Sequence, residues 1–346
     1  MDRKRKTARR VLLGVLLGLL VLLIGAAAVY MVWERAPEVT AETRPLVVAV
    51  SKPVRRSAPA GTAEPTRTRR EGVYTLLLAG RDNGNGNTDT MILVRLDAEA
   101  HTVDAVSIPR DTMVNTSWQI RKLNAAYAMG ALSGGSGAES LRRHVARLTG
   151  FEADNYAILD LDAFVQVVDA LGGVDFEVPV AMDYEDLGQG LTIHLQPGMQ
   201  RLNGYQAMGL CRFRSGYANA DLGRIGMQQR FLKACAAQFI TLGNIPNVSR
   251  VVEILSGSLE TDLSGGNIAW FFRQLLRCRS EDIHFYTAPN RPADAGGISY
   301  TVFELEPWLE RINESLNPYR EPIAAEDLDL VFSRGGALGF TATRRF

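Results

Sequence analysis

The sequence contains few cysteines, and their number and spacing exclude two kinds of architecture. Its 346 residues include three cysteines, Cys211, Cys235 and Cys278. An odd number cannot form a fully paired set of intramolecular disulfides, and the intervals do not match the spacing of zinc ligands. Because free cysteines are commonly buried, we expect buried thiols instead of a disulfide framework.

The chain also lacks net charge, because 38 Lys and Arg balance 38 Asp and Glu. The charges are unevenly distributed: residues 1–72 carry 14 basic and 6 acidic residues, a net of +8, and the remainder carries 24 and 32, a net of −8. An acidic globular part does not have the basic surface of a nucleic-acid-binding protein, so no nucleic acid partner is expected. Any anion site must therefore be a local group of arginines.

Residues 11–33 contain no charged residue and follow six basic residues within residues 1–10. At ~1.5 Å per residue, a helix of this length crosses a hydrocarbon core ~30 Å thick. By the positive-inside rule we expect a single transmembrane helix over residues 11–33, with residues 1–10 in the cytoplasm and the rest outside the cell. The alternative is a cleaved signal peptide, since Ala26–Ala28 resembles a cleavage site, although its apolar region would span only ~7–15 residues.

Two further segments have the composition of loosely structured chain. Residues 34–72 are rich in Pro, Thr, Ala, Glu and Arg, which is typical of a disordered spacer, so we predict an extracellular linker there. Residues 326–346 begin acidic and end rich in Gly and Arg, and we predict a flexible tail. The folded domain is predicted to comprise residues 73–325.

The middle of this domain has the pattern of a layered α/β fold. Tyr156–Leu161 is an apolar run typical of a strand, and Val174–Val178 alternates apolar with acidic residues. Between them, Phe164–Leu171 has apolar residues spaced for one helix face, and Asp162 is the predicted cap of that helix. A strand, a helix and a strand in succession favour helices packed on a sheet. The predicted fold class is α/β, an α-β-α sandwich with a central mixed sheet.

Two carboxylates and an arginine follow strand-like segments near the start of the domain. The loop between Asp82 and Asp89 consists of Asn, Gly and Thr, and its Asn and Gly tolerate positive φ, so both carboxylates can converge on one point. Such a pair repels unless a cation or proton lies between its members, and Mg²⁺ binds one or two carboxylates plus phosphate oxygens. Arg110, after the third strand, would offer a planar fork to phosphate. The alternative is that the aspartates are turn formers and Arg110 belongs to a surface ion pair.

A second group of cations lies further along the chain. A short helix is predicted over Asn203–Met208, and it leads into an extended strand over residues 210–214. Arg212 and Arg214 would project on one face of that strand. Arg224 and Gln228 are four apart at the start of a predicted helix over about residues 225–240. A cation there opposes the helix dipole unless an anion is bound, so Arg224 and the helix N–H groups are predicted to hold an anion. The alternative is surface arginines paired with acids.

Several segments, in this order and behind a single predicted anchor, resemble the LytR-CpsA-Psr family of cell-wall glycopolymer ligases. The resemblance covers about residues 74–240. The segments are Leu78–Asp82, Thr88–Met91, Ser107–Thr112, Lys122–Tyr127, Asp169–Asp175, Arg212–Arg214 and Asp221–Ile225 with Gln228 and Gln229.

The resemblance implies a membrane-anchored phosphotransferase that moves a glycopolymer, such as a teichoic acid or capsule-like polymer, from a polyprenyl pyrophosphate carrier to a muramic acid hydroxyl of peptidoglycan. It implies an apolar pocket for the lipid tail within the α-β-α sandwich. It also implies that Asp82 and Asp89 act around Mg²⁺, with Asp82, Asp89 and Arg110 as the catalytic residues. The residues implied to bind the pyrophosphate are Arg110, Lys122, Arg212, Arg214, Arg224 and Gln228.

The chain departs from the family pattern in the loop over residues 83–88. Family members often carry a basic residue after the first Asp or just before the second, whereas this loop contains only Asn, Gly and Thr. Arg81 is basic, but as a strand neighbour of Asp82 it is expected to point away from it. The loop therefore leaves open whether this chain makes one phosphate contact of the family.

Three functions are compatible with the sequence. In a transferase, Asp82, or in its place Asp111, would accept the proton of the incoming hydroxyl, and the cations would stabilise the leaving pyrophosphate. A non-catalytic envelope protein would bind lipid-linked polymer or regulate wall assembly. A hydrolase would use water in place of the sugar acceptor. The complete set of acids and arginines favours the transferase.

Overall fold

The computed structural model describes residues 34–39, 42–43, 67–81, 86–186, 191–213, 220–242, 253–254, 257 and 259–346. The predicted cytoplasmic segment and transmembrane helix lie outside these residues and stay predictions. In the part of the chain that is described, none of the helices combines the length and apolar character needed to cross a bilayer.

Runs of strands are separated by helices along the described chain. The strands are β1 Glu42–Thr43, β2 Arg67–Thr68, β3 Val73–Arg81, β4 Thr88–Asp97, β5 Thr102–Ser107, β6 Asn155–Asp160, β7 Val174–Val178, β8 Met182–Asp186, β9 Leu191–Leu195, β10 Gly198–Leu202, β11 Leu259–Thr261, β12 Ile283–Thr287, β13 Asn290–Ala295, β14 Ile298–Phe303, β15 Val331–Arg334 and β16 Ala337–Phe340. The α-helices are α1 Ala126–Leu132, α2 Gly137–Thr149, α3 Leu161–Ala170, α4 Gly204–Arg212, α5 Ala220–Leu242, α6 Gly265–Leu275 and α7 Leu305–Arg311.

A six-stranded sheet with the order β11-β6-β3-β4-β5-β12 forms the centre of the fold. β3 pairs antiparallel with β4 and parallel with β6, and β5 pairs antiparallel with β4 and parallel with β12. The prediction of a central mixed sheet is therefore confirmed. In β3, Leu77 and Ala79 are buried in the main core, whereas Leu78 lines a cavity, so the strand uses both faces.

Helices cover both faces of this sheet. On one face, α1, α2 and α7 pack against β3 and β4 in a core that includes Leu93, Leu141 and Trp308. Trp308 is fully buried, and its indole N–H donates to the Leu148 carbonyl oxygen at 2.8 Å, which joins α7 to α2. On the other face, α6 packs through Phe271 against Leu96. The described elements therefore form the predicted α-β-α layers.

A smaller cluster lies beside the central sheet and forms one side of the cavity. The hairpin-like pairs β7–β10 and β8–β9 pack with α4 and α5 around Phe176, Ile193 and Phe231. The alternation predicted for residues 174–178 is confirmed, because Val174, Phe176 and Val178 are buried and the acidic residues between them are exposed. This cluster places α4 and α5 next to the ends of β3 and β4.

Helix ends follow the local sequence with two corrections. α2 begins after Ser136, whose hydroxyl accepts from the Glu139 N–H at 3.2 Å. It ends at Gly150, which has φ of 78°, as expected for a glycine C-cap. α3 is capped by Asp160 and not by Asp162, because the Asp160 carboxylate accepts from the Ala163 N–H at 2.8 Å.

The second correction concerns residues 210–214, for which an extended strand is predicted. Arg212 is the last residue of α4, which starts from a capping box between Asn203 and Gln206 and continues for nine residues. Leu210 packs fully buried in the cluster around Phe231, and this tertiary burial extends the helix past the predicted end at Met208. Arg212 is therefore presented from a helix end, and Arg214 lies outside the described residues.

The predicted linker contains ordered chain at both ends. Glu34 pairs with Arg273 of α6 at 3.0 Å, and the Arg35 carbonyl accepts from the Asn267 side chain at 2.9 Å. β1 pairs with β2, so residues 42–43 lie beside residues 67–68. These parts of the predicted spacer are therefore ordered, because Glu34 and Arg35 contact α6, Pro37 is buried and β1 pairs with β2.

The predicted flexible tail is also wrong. β15 and β16 extend a sheet with the order β13-β14-β15-β16. Leu328, Leu330 and Val331 are fully buried, and Leu330 belongs to the main core. The short apolar stretch of this segment is enough to anchor it, because each of these side chains removes a large apolar surface from water.

Candidate active site

A cavity of about 360 Å³ lies between the central sheet and the helices α3, α4 and α5. Its walls are largely apolar, and its polar lining residues come from strand ends and from α4 and α5. The apolar residues include Leu78, Ile92, Leu159, Phe164, Met208 and Phe231. The polar residues include Arg81, Asp89, Asp160, Arg212, Arg224 and Gln228.

Four residues of the predicted site line this cavity directly: Asp89, Arg212, Arg224 and Gln228. Arg110 joins them through an ion pair with Asp89. Asp82 and Arg214 lie outside the described residues, so their predicted roles stay predictions.

A β-bulge places Asp89 at the cavity. Gly80 pairs with Thr90, but the next residue, Arg81, pairs with Thr88, so Asp89 is the extra residue of β4. Bulges of this kind re-aim a side chain at a strand end. The Asp89 carboxylate accepts from the Arg110 guanidinium at 2.8 Å, with 37% of the Asp89 side chain and 21% of the Arg110 side chain exposed.

Lys122 reaches the same group of charges through Asp111. The Lys122 ammonium lies 2.9 Å from one Asp111 oxygen, and Arg110 Nε lies 3.9 Å from the other. The backbone holds the two segments together, since the Asn124 N–H donates to the Arg110 carbonyl oxygen at 3.0 Å. Asp89, Arg110, Asp111 and Lys122 therefore form a chain of alternating charges at the cavity end.

Arg224 is the most deeply placed cation of the cavity, with 3% of its surface exposed. α5 begins at Ala220, so Arg224 lies in the second turn and the predicted conflict with the helix dipole at a helix start does not apply. The burial of Arg224 supports its role in the cavity better than the helix dipole does, because a buried guanidinium is stabilised by anionic or hydrogen-bonding partners. Gln228, one turn further on, donates to the Cys211 carbonyl oxygen at 3.1 Å and accepts from the Thr90 hydroxyl at 3.4 Å.

Two charged residues of the cavity were not predicted as site residues. Asp160 lines the cavity and caps α3. Arg81 lines the cavity as well, and its predicted orientation away from Asp82 stays a prediction because Asp82 lies outside the described residues. Arg81 ends β3 beside the bulge in which Asp89 is the extra residue of β4, and the sequence of one strand carries no signal for this register.

The cysteines form no disulfide and, as expected, are free. Cys278 is buried, and Cys211 and Cys235 are half-buried. Burial raises the pKa of the Cys235 thiol to about 12, and it also raises the pKa of Cys211. These thiols therefore stay protonated and behave as apolar groups near the cavity.

The fold and the cavity define a layered α/β domain suited to an amphiphilic anion, with apolar walls for its tail and cations for its charged group. The chain belongs to the LytR_cpsA_psr family, whose model matches residues 46–317. The resemblance predicted from the sequence motifs is thereby confirmed.

Three curated relatives show the range of the family. The polyisoprenyl-teichoic acid–peptidoglycan teichoic acid transferase TagV of Bacillus subtilis is 31% identical over 51% of this chain and 45% of its own length. The probable cell wall biosynthesis protein LcpB of Corynebacterium glutamicum is 30% identical over 68% of this chain and 54% of LcpB. The regulatory protein MsrR of Staphylococcus aureus is 26% identical over 57% of this chain and 59% of MsrR. The chain thus spans about half the length of the curated relatives it matches.

A solved structure supports the fold. The crystal structure of protein gbs0355 from Streptococcus agalactiae matches with a TM-score of 0.63 and 22% identity, over 73% of this chain and 90% of that chain. At this identity the likeness establishes the fold alone.

Proposed function

We propose that this protein transfers a glycopolymer from a polyprenyl pyrophosphate carrier to peptidoglycan outside the cell. The observation that carries the proposal is the cavity itself, where apolar walls lead to a buried Arg224 and a half-buried Arg212. A lipid diphosphate has the matching chemistry, an apolar chain joined to a strongly anionic group. The name of the relative TagV describes a transferase of this type.

The cations of the site would do most of the chemical work. Charge develops on the bridging oxygen of the diphosphate as the bond to the polymer's phosphate breaks, and fixed guanidinium groups stabilise that charge. Arg110, Arg212 and Arg224 are the described arginines proposed for this role, together with Arg214. Lys122 and Gln228 would complete the phosphate contacts.

A carboxylate must accept the proton of the incoming sugar hydroxyl. Asp111 already pairs with Lys122 at 2.9 Å, so protonation of Asp111 would sacrifice that ion pair. Asp82 therefore remains the proposed acceptor.

The donor set of the cavity fits a weakly held Mg²⁺. Among the described residues no group of three or more His, Cys, Asp or Glu is placed to hold a metal ion. Asp89 offers hard carboxylate oxygens to the cavity, and Mg²⁺ usually takes one or two carboxylates, waters and substrate phosphates. We propose that Asp89 and Asp82 hold Mg²⁺ once the diphosphate is bound, and that the ion neutralises part of the phosphate charge.

The alternative function is a non-catalytic envelope protein that binds lipid-linked polymer or regulates wall assembly, and the name of MsrR describes a regulator. The two proposals differ in turnover. The purified full chain is incubated with a polyprenyl pyrophosphate-linked glycopolymer, peptidoglycan oligomers and Mg²⁺, and the products are analysed by mass spectrometry. Polymer attached to the oligomers supports the transferase, and release of free polymer indicates hydrolysis. Binding of the donor without any product after prolonged incubation supports the alternative.

A further inference from the structure

Arg81 ends β3 at the cavity and is held there by a short hydrogen-bonded chain. One guanidinium N–H donates to the Tyr127 hydroxyl oxygen at 3.1 Å, and the guanidinium carbon lies 5.4 Å from the centre of the Tyr127 ring. The Tyr127 hydroxyl in turn donates to a Glu260 carboxylate oxygen at 2.6 Å. These hydrogen bonds join the end of β3 to α1 and to the edge strand β11.

Each member of this chain is itself fixed. Tyr127 has 9% of its surface exposed, and a Cβ added at Gly137 would lie 2.8 Å from three atoms of its ring, so the ring lies tightly against the start of α2. Glu260 pairs in register with Ile158 of β6. Arg81 therefore reaches the cavity from a rigid support, which lowers the entropy lost when it binds a ligand.

The direction of the hydrogen bonds suits a cation-presenting role. Burial, followed by the hydrogen bond to Glu260, raises the pKa of the Tyr127 hydroxyl, so its proton stays in place. The hydroxyl donates its hydrogen bond to Glu260, so the lone pairs of the hydroxyl oxygen are available to accept from Arg81. A guanidinium carries five N–H donors, and the bond to Tyr127 uses one of them.

The position of Arg81 answers the departure in the neighbouring loop. Residues 83–88 contain no basic residue, and Arg81 lines the same cavity as Asp89 and Arg212. We propose that Arg81 contacts the diphosphate of the substrate in place of a basic loop residue, and that Tyr127 and Glu260 are positioning residues that hold its guanidinium. The inference rests on the proposed function only in assigning the diphosphate to a polyprenyl carrier.

The test measures binding of two probes, inorganic pyrophosphate and a short-chain polyprenyl pyrophosphate, to the full chain by calorimetry. Arg81→Ala is expected to raise the Kd of both probes by about 10- to 100-fold, the size expected for loss of a hydrogen bond between charged groups. Arg81→Lys is expected to recover only part of this loss, because an ammonium lacks the bidentate fork. Arg201→Ala is the matched control, since Arg201 pairs with Asp175 at 3.3 Å and does not line the cavity.

The positioning role has its own readout. Tyr127→Phe keeps the ring but removes the acceptor, and it is expected to weaken pyrophosphate binding by about 3- to 10-fold in the wild-type background. In the Arg81→Ala background the same change should have no further effect, because it acts through Arg81. A purely structural tyrosine would give equal losses in both backgrounds.

The outcomes separate this inference from the proposed function. Unchanged pyrophosphate binding by a folded Arg81→Ala variant overturns the inference and leaves the proposed function standing. Arg81-dependent binding of inorganic pyrophosphate without binding of the lipid probe supports the inference and counts against the polyprenyl substrate. If the wild-type chain binds neither probe, both are overturned.

Discussion

At the scale of single residues, the metal proposal depends on the carboxylate of Asp89, which forms an ion pair with Arg110. Asp89→Asn is expected to change the free energy of unfolding by only ~0–1 kcal/mol, because both side chains are partly exposed. It is expected to abolish the dependence of diphosphate binding on Mg²⁺, since it removes a negatively charged metal ligand. Calorimetric Mg²⁺ titrations with and without short-chain polyprenyl pyrophosphate measure this coupling.

In the wild-type chain the affinity for Mg²⁺ should rise when the lipid is present, because phosphate oxygens complete its coordination shell. Equal Mg²⁺ affinity with and without the lipid would contradict the metal proposal. So would Mg²⁺-dependent transfer by Asp89→Asn.

His144 is a residue whose burial should make stability depend on pH. Its ring is tilted by 40° against the Trp118 ring with the ring centres 4.9 Å apart, and burial lowers its pKa from 6.5 to about 4. In the unfolded chain this histidine takes up a proton below about pH 6.5, whereas in the folded chain it does so only near pH 4. Stability is therefore lost as the pH falls from 6.5 to 4, by ~3 kcal/mol for this group.

Urea unfolding at several pH values in this interval measures the effect. His144→Gln cannot titrate, so its stability should be lower at pH 7, through lost packing, but flatter between pH 6.5 and 4. A wild-type slope in the His144 variant would show that other groups cause the loss.

At the scale of secondary-structure elements, β15 tests whether the end of the chain is part of the domain. Leu330, next to β15, is fully buried, and its N–H donates to the Thr341 hydroxyl at 2.8 Å. Leu330→Ala should lower the free energy of unfolding by ~2–5 kcal/mol through the cavity it creates. Arg334→Ala, at the exposed end of β15, should change it by less than ~0.5 kcal/mol.

Thermal and chemical unfolding of both variants measures the difference. Equal and negligible effects would mean that residues 326–346 do not contribute to the folded domain. Trypsin digestion offers a second view, because cleavage after Arg334 should be slow in the wild-type chain and fast in Leu330→Ala.

The same elements show what the sequence pattern can and cannot predict. The alternation in β7 was readable because it depends on residues close in the chain. The extension of α4 through Arg212 was not, since it depends on burial of Leu210 against residues distant in sequence. Likewise, the place of Arg81 at the cavity follows from a bulge between two strands, and a single strand carries no signal for its partner's register.

At the scale of the whole molecule, the predicted topology places the domain outside the cell. A cysteine introduced at Ser57 should react with an impermeant thiol reagent in intact cells, because residues after 33 are predicted to be extracellular. Thr7→Cys is the control and should react only after lysis. The native cysteines give little background, since Cys278 is buried and the other two are half-buried. Labelling of Ser57→Cys only after lysis, or a mature chain that starts near Ala28, would contradict the anchor.

The contact between Glu34 and Arg273 would fix the distance between the folded domain and the predicted transmembrane helix. With residues 11–33 in the bilayer, the first residue beyond them is already fastened to α6. The distance between the domain and the membrane would then be set by the contact at Glu34 and not by the length of the predicted linker. The domain would then be closely tethered, with its cavity at a constant distance from the bilayer and in a constant orientation. Lipid-linked donors would reach the cavity by lateral diffusion in the membrane and not by a movement of the domain towards them.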